Sequence, residues 1–205
     1  MIINVEALSK RFNREWILKN LHFSFSNNQI YAIEGPNGSG KSTLLKILSG
    51  HLSPSKGKIS FSLNEKKIEV AEVYSHLSFA APYIDLIEEF TLAEAIRFHL
   101  HFKSLRANLT GEDLVELTGL QKSRNKQIRY FSSGMKQRLK LVLAICSDTQ
   151  LLLLDEPTSN FDQQGVEWYR QLVQTHADGR LLVIASNVEL DFDFAHHRLN
   201  ILDYK

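Results

Sequence analysis

This chain of 205 residues has little cysteine, no long apolar run and almost no excess of charge of one sign. The single cysteine, Cys146, excludes an internal disulfide framework and a cysteine-based metal cluster, and it fits a reducing compartment. The longest apolar run, Leu141 to Cys146, has six residues, whereas a membrane-spanning helix needs about 20. The net charge of +1, from 24 Lys and Arg against 23 Asp and Glu, argues against a polybasic nucleic-acid or membrane-surface binder. Because the start, MIINVEALSKRF, also lacks the apolar core of a signal peptide, we expect a cytoplasmic protein that reaches a membrane only through a partner.

Three short apolar segments predict buried β-strands at Ile30 to Glu34, Gln150 to Leu154 and Leu181 to Ala185. Strands this apolar have both faces covered, which indicates a mainly parallel sheet with helices on each side and hence an α/β fold. Helical patterns lie between and after them, at Lys41 to Leu48, Gly134 to Ala144 and Gln163 to His176.

The remaining parts of the chain have a different character. The first 30 residues and residues 57 to 80 predict shorter strands and turns, so the N-terminal part is expected to be rich in β-structure. The stretch from about 86 to 130 contains the amphipathic segments AEAIRFHLHF and GEDLVELTGL, with no strong strand between them. We therefore predict one domain over residues 1–205, with a helical subdomain inserted at about 86–130.

A glycine-rich loop follows the first apolar strand and opens a helix. It reads GPNGSGKST and fits the pattern G-x-x-x-x-G-K-[ST]. Its backbone N–H groups and the helix N-terminus suit a triphosphate, Lys41 suits the β- and γ-phosphates, and the Ser42 hydroxyl suits Mg²⁺. The predicted nucleotide-binding residues are Gly35, Pro36, Asn37, Gly38, Ser39, Gly40, Lys41, Ser42 and Thr43.

Two acidic residues end the second apolar strand. In a phosphate-loop nucleotidase, an Asp at a neighbouring strand end holds the Mg²⁺ shell, which predicts a metal-binding role for Asp155 beside Ser42. The next carboxylate, Glu156, is placed to polarise the attacking water, so Glu156 and Lys41 are the predicted catalytic residues. A solvated strand end is the alternative, and the presence of both motifs on two apolar strands argues against it.

Two further motifs extend this pattern into a resemblance to a known family. LLLLDEPTSNFD resembles the Walker B strand and D-loop of the ATP-binding cassette (ABC) ATPases, and FSSGMKQR, at Phe131 to Arg138, resembles their LSGGQ signature. The resemblance covers nearly the whole chain. It implies the ABC ATPase fold, with ATP and Mg²⁺ as ligands.

The resemblance also implies how the site is completed. In the family, the helix start at Ser132, Ser133 and Gly134 reaches the γ-phosphate held by the other subunit of a dimer, so ATP is expected to draw two chains together. Both serines are also suited to capping the helix that begins near Gly134, which is the ordinary structural role for such residues. Asp162 corresponds to the D-loop acid. Phe12 lies where the family stacks an aromatic ring on adenine, with Trp16 as a possible substitute.

Three motifs depart from the family pattern. Ser133 and Met135 replace the usual Gly and Gln of the signature. No Gln occurs between Gln29 and Gln121, so Ala81 or Pro82 stands at the position of the Mg²⁺-sensing Gln. Asn187 takes the place of a His that contacts the γ-phosphate; it can hydrogen-bond but carries no charge or proton. We therefore expect normal ATP binding and slow hydrolysis.

The leading prediction is the ATPase subunit of an ABC transporter, peripheral on the inner face of the cell membrane. A transmembrane permease subunit is its expected partner, docking beside Pro82 to Phe90, and the dimer would be a homodimer or a heterodimer with another cassette. Alternatives are a regulatory nucleotide-binding module with little turnover and a soluble non-transport member acting on ribosomes or DNA. The second is disfavoured by the single cassette and the low charge, and no nucleic-acid partner is expected. A GTPase would need an Asn-Lys-x-Asp motif, and the segment Asn125 to Ile128 lacks the Asp.

Overall fold

The computed structural model describes all residues from 1 to 205. The strands are β1 (Ile2–Phe12), β2 (Glu15–Phe25), β3 (Ile30–Glu34), β4 (Lys56–Leu63), β5 (Lys66–Ile68), β6 (Leu77–Ala80), β7 (Leu151–Asp155), β8 (Leu181–Ser186) and β9 (His197–Asn200). The α-helices are α1 (Lys41–Leu48), α2 (Leu92–Leu100), α3 (Gly111–Thr118), α4 (Ser133–Cys146) and α5 (Gln163–His176). Short 3₁₀ helices lie at Val70–His76, Gln121–Ser123, Ile128–Tyr130, Glu189–Asp191 and Ile201–Tyr204.

The chain forms two compact units. The first contains residues 1–79, 149–156 and 179–205, and the second contains residues 80–148 and 157–178. The predicted helical insert at about 86–130 lies within the second unit, which also includes α4 and α5. The division into one domain with an insert stays a prediction.

The first unit is built on a five-stranded sheet with the order β6-β7-β8-β3-β9. The pairs β3–β8, β7–β8 and β3–β9 are all parallel, as the apolar strands predicted. Every residue of β7 and β8 is buried, and α1 packs against both strands. This arrangement brings the carboxyl ends of β3, β7 and β8 together, which is where a parallel sheet places its ligand site.

The N-terminal part of the first unit is an antiparallel sheet with the order β2-β1-β4-β5. The expectation of shorter strands there was wrong for β1 and β2, which have 11 residues each. Bulges explain the error, because the register between these strands shifts after Val5 and again on either side of Lys10. Each shift breaks the alternation of apolar and polar residues that marks a long strand in the sequence.

In the second unit, α2 and α3 each begin with a capping box, formed by Thr91 with Glu94 and by Thr110 with Asp113. Each threonine accepts a hydrogen bond from the backbone three residues on, and the acid accepts one in return, which satisfies donors at the helix start. These caps explain why both amphipathic segments are short helices. None of the helices combines the length and apolar character needed to cross a membrane.

The helix α4 starts one residue before the predicted Gly134 and continues to Cys146. Just beyond it, the Ser147 hydroxyl lies 2.7 Å from Nε2 of His99. Burial, reinforced by the charge of Lys103, lowers the pKa of His99 to about 4, so this ring is neutral at pH 7. The single cysteine, Cys146, is a buried thiol.

Candidate functional site

The glycine-rich loop connects β3 to α1 and folds tightly over apolar side chains of the first unit. Gly40, the residue before α1, has φ of +100°, in the region that glycine reaches most easily. A Cβ at this position would lie 2.6 Å from Cγ2 of Ile17, and one at Gly35 would lie 2.5 Å from Cγ2 of Ile201. The loop therefore depends on both glycines. Its tip, Pro36 to Gly38, is exposed to solvent.

Lys41, the first residue of α1, is only 5% exposed. Its Nζ donates hydrogen bonds to the carbonyl oxygens of Gly35 at 2.9 Å and Pro36 at 3.3 Å. It also forms an ion pair with Oε1 of Glu156 at 3.1 Å. The two residues predicted to be catalytic are thus in direct contact, although 114 positions separate them in the sequence (156 − 41 − 1).

Asp155 and Glu156 lie at the carboxyl end of β7. Asp155 is fully buried, while Glu156 is partly exposed and has φ of +44°. A positive φ is uncommon for a residue with a side chain, particularly for one other than Asn, Asp or His. The backbone N–H of Glu156 donates to the carbonyl oxygen of Ala185 in β8 at 2.8 Å, which fixes its main chain.

The donors expected to hold Mg²⁺ are oxygen atoms of the kind this ion prefers. Asp155 supplies a carboxylate, and Ser42 supplies a hydroxyl in the first turn of α1. Mg²⁺ is commonly held by one or two protein carboxylates together with substrate phosphates. The residues present therefore fit an ion that arrives with a nucleotide.

Sequence reasoning missed Ser186, which contacts Glu156, and Asp191, which contacts Ser186. The hydroxyl of Ser186, the last residue of β8, lies 3.2 Å from Oε2 of Glu156 and 2.6 Å from Oδ2 of Asp191. It accepts a hydrogen bond from the N–H of Val188 at 3.0 Å. Asn187, predicted to stand at the γ-phosphate position, follows directly after β8 and is exposed. The only signal in the sequence was that a polar residue ended an apolar strand.

The aromatic residues near the hairpin between β1 and β2 differ in their surroundings. Phe12 is 46% exposed, and Nζ of Lys10 lies 5.1 Å from the centroid of its ring. Trp16 is half-buried and is approached by two cations, Arg11 at 5.5 Å and Lys56 at 5.4 Å. Phe12 is therefore the more accessible of the two rings for a stacked base.

In the second unit, Ser132 is the N-cap of α4, and its Oγ accepts a hydrogen bond from the N–H of Met135 at 3.2 Å. The expectation that Ser133 also caps this helix was wrong, because Ser133 is already its first helical residue. Asp162 is the N-cap of α5 and accepts a hydrogen bond from the N–H of Gly165 at 2.8 Å. The signature residue Ser132 and the D-loop acid Asp162 thus each have a local capping role.

The segment from Pro82 to Phe90, beside which the permease is expected to dock, has two of its acidic residues in ion pairs. Glu88 pairs with Lys136, which holds the pKa of Glu88 below its usual range. Glu89 pairs with Arg129 at 3.4 Å. Two apolar residues of this segment, Tyr83 and Ile87, are 42% and 43% exposed.

The comparison with known proteins agrees with this fold. A profile of the ABC transporter family matches residues 18–159. The chain therefore belongs to the ABC transporter family, and its fold is that of the family's ATP-binding cassettes. The membership and the fold class predicted from the sequence are both confirmed.

Individual relatives are similar over most of this chain. The ABC transporter ATP-binding protein YcbN of Bacillus subtilis is 29% identical over 91% of this chain, and the chain spans 62% of the length of YcbN. The lantibiotic transport ATP-binding protein SrtF of Streptococcus pyogenes is 28% identical over 91% of this chain and 80% of its own. The bacterial cassette MJ0796, solved as a dimer, superposes with a TM-score of 0.80 at 23% identity, over 97% of this chain and 94% of its own. At that identity the likeness is one of fold.

Proposed function

We propose that this chain binds and hydrolyses ATP as the nucleotide-binding subunit of an ABC transporter. The observation that carries the proposal is the contact between Lys41 and Glu156 at 3.1 Å. It brings together a buried cation suited to phosphate and a carboxylate suited to water, at the carboxyl ends of β3 and β7, which run parallel on either side of β8. A buried cation next to an exposed glycine-rich loop is what recognition of a triphosphate requires.

The residues of this chain would share the chemistry as follows. The loop backbone and Lys41 bind the phosphates, and Phe12 stacks on the base. Glu156 takes a proton from water while the water oxygen bonds to the γ-phosphorus; the bond from that phosphorus to the β–γ bridging oxygen breaks, leaving ADP and phosphate. Mg²⁺, held by Ser42 and Asp155, would neutralise charge on the phosphates when bound.

The second part of the proposal is a dimer that forms when ATP binds. The start of α4 presents Ser132, Ser133 and Gly134, with both serines exposed, and it suits the γ-phosphate held by another copy or by a second cassette. MJ0796, which shares the fold, is dimeric, and it is also solved as a dimer with ADP and Pi. Asp162 would lie at the same interface.

The third part of the proposal is a transmembrane permease subunit as the partner, which would hold this chain at the inner face of the membrane. Relatives whose names refer to transport support this. The exposed side chains of Tyr83 and Ile87 offer an apolar contact for such a partner. The near balance of charge gives no support for a nucleic-acid partner.

A regulatory module with little turnover is the second candidate. It is favoured by Asn187 after β8 and by Ala81 and Pro82 after β6, since none of these side chains carries charge. Both candidates bind ATP, so the rate of phosphate release separates them.

The test is Glu156→Gln, which keeps the size of the side chain and removes the base. We expect loss of ATP hydrolysis and an ATP-stabilised dimer on gel filtration. Glu167→Gln on α5, an exposed Glu to Gln change, is the matched control and should hydrolyse ATP like the unmodified chain. Equal hydrolysis by both variants would contradict the role of Glu156, and a monomer with ATP present would contradict the dimer.

A further inference from the structure

The hydroxyl of Ser186 is the one side-chain group from β8 that reaches Glu156. Ser186 is fully buried, and its Oγ lies 3.2 Å from Oε2 of Glu156. We propose that Ser186 is a positioning residue, which holds the Glu156 carboxylate in the orientation needed to activate water. This inference rests on the proposed function, because it concerns the same carboxylate.

The two oxygens of Glu156 have different partners. Oε1 contacts Nζ of Lys41 at 3.1 Å, whereas Oε2 contacts Ser186. The three N–H donors of Lys41 already have three acceptors, which are Glu156 and the carbonyl oxygens of Gly35 and Pro36. A phosphate bound at Lys41 therefore competes with Glu156 for this ammonium. The contact with Ser186 does not depend on Lys41, so it can hold the carboxylate when Lys41 binds phosphate.

The end of β8 also controls the main chain of Glu156. Ala185, the residue before Ser186, accepts the hydrogen bond from the N–H of Glu156 at 2.8 Å. The φ of +44° at Glu156 is uncommon and is kept only where surrounding contacts determine it. Two adjacent residues of β8 thus fix the backbone and the side chain of one carboxylate.

Asp191 acts through Ser186. It is 1% exposed, and its Oδ2 lies 2.6 Å from Oγ of Ser186. The hydroxyl has one proton and so donates to one carboxylate at a time, while the N–H of Val188 directs its lone pair. The contact with Asp191 is the shorter of the two, so Asp191 anchors the hydroxyl of Ser186 beside Oε2 of Glu156.

The experiment compares Ser186→Ala with Ser186→Thr, which keeps the hydroxyl. The control is Ser78→Ala. Ser78 is also a buried serine in a strand and is 6% exposed, but its hydroxyl forms a 2.9 Å hydrogen bond with that of Thr149 rather than with Glu156. We expect Ser186→Ala to lower kcat for ATP about tenfold, with KM within about twofold, since misplacing a catalytic group costs rate rather than binding. Ser186→Thr should recover most of kcat, and Ser78→Ala should keep the original kcat.

A crystal structure of Ser186→Ala gives a readout that does not depend on turnover. The carboxylate of Glu156 should rotate away from its position in the unmodified chain. An unmoved carboxylate, or a kcat equal to that of Ser78→Ala, would overturn the positioning role. A parallel loss of kcat, ATP affinity and melting temperature would assign Ser186 a purely structural role instead. If the unmodified chain itself releases no phosphate, the proposed function fails, and the position of Glu156 in the two crystal structures still decides the role of Ser186.

Discussion

The starts of α1 and α4 are both glycine-containing loops that lead into a helix, yet they satisfy their free backbone donors differently. The residue before α1 is Gly40, which offers no side-chain cap, whereas the residue before α4 is Ser132, whose hydroxyl accepts from the N–H of Met135. Neither helix has an acidic residue in its first turn, although acids are favourable there. The start of α1 thus leaves more of its donors to an anion than the start of α4 does.

The cations near the two helix starts differ as well. Lys41 is buried at the start of α1 and directed at the loop carbonyls and Glu156, whereas Lys136, in the first turns of α4, is paired with Glu88. The start of α1 therefore combines, in one chain, the glycine-rich loop, the uncapped N–H groups and the buried ammonium on which the proposed phosphate site depends. The start of α4 has only N–H groups, a partial positive charge and a hydroxyl, which suits it to add contacts to an anion that is already bound. This difference is the physical basis for assigning binding to one helix start and dimer formation to the other.

The largest expected effect comes from removing the cation of α1. Lys41→Ala should weaken the binding of a fluorescent ATP analogue by about a hundredfold, because it deletes the buried charge and leaves Glu156 to repel phosphate. Hydrolysis should fall below detection. Titration of the analogue by fluorescence measures the affinity, and phosphate release measures the rate.

The control for this change is Lys46→Ala, which removes a lysine from the last turn of the same helix. It should bind the analogue with unchanged affinity, since Lys46 lies outside the loop. If Lys41→Ala and Lys46→Ala bound nucleotide equally well, the start of α1 would not be the phosphate site, and the contrast with α4 would disappear.

A smaller effect is expected at the start of α4, where two nearly isosteric changes separate charge from size. A Cβ at Gly134 would lie 3.5 Å from its nearest neighbour, the carbonyl oxygen of Asn160, so both Gly134→Asp and Gly134→Asn should fold. Asp near a helix N-terminus stabilises the helix by about 0.3–1 kcal/mol, but it repels a bound phosphate. We therefore expect Gly134→Asp to melt no lower than Gly134→Asn, yet to hydrolyse ATP about tenfold more slowly.

Gel filtration with ATP in the Glu156→Gln background checks the same pair of variants. The Asp variant should remain a monomer under conditions where the Asn variant dimerises, and the affinity of a single chain for the ATP analogue should be the same for both. Similar dimerisation by the two variants would mean that no anion meets this helix start, which would leave Ser132 with only its capping role.

The parts of the molecule that the sequence predicted best depend on neighbouring residues in the chain. The helix α1 begins at Lys41 and ends at Leu48 as predicted, because its glycine loop, apolar spacing and flanking strand are contiguous. The buried strands β3, β7 and β8 were predicted to within one residue at each end. A run of four or more apolar residues is typical of a strand that is buried on both faces of a parallel sheet.

The contacts that could not be predicted join segments distant in the chain. Ser186 contacts Glu156 because β7 and β8 are adjacent in the sheet. The order of strands in a sheet cannot be predicted from local sequence patterns. The pairing of Glu88 with Lys136, at 47 intervening positions (136 − 88 − 1), was hidden for the same reason. The long β1 and β2 strands were missed because bulges interrupt their alternation.

The smallest expected effect tests whether the region around α1 falls short of full activity because of one side chain. Asn187→His places an imidazole directly after β8, where Asn187 is exposed and a ring can be accommodated. A histidine there can donate to a phosphate oxygen and, below its ordinary pKa of about 6.5, carries a positive charge. Turnover should rise about threefold, and more at pH 6.5 than at pH 8, because the charged form of the ring is lost as the pH rises.

The matched control is Asn125→His, a change at another exposed Asn, which should leave both the rate and its pH profile unchanged. If Asn187→His only matched this control, slow hydrolysis could not be attributed to Asn187, and the explanation would shift to Ala81 and Pro82 after β6.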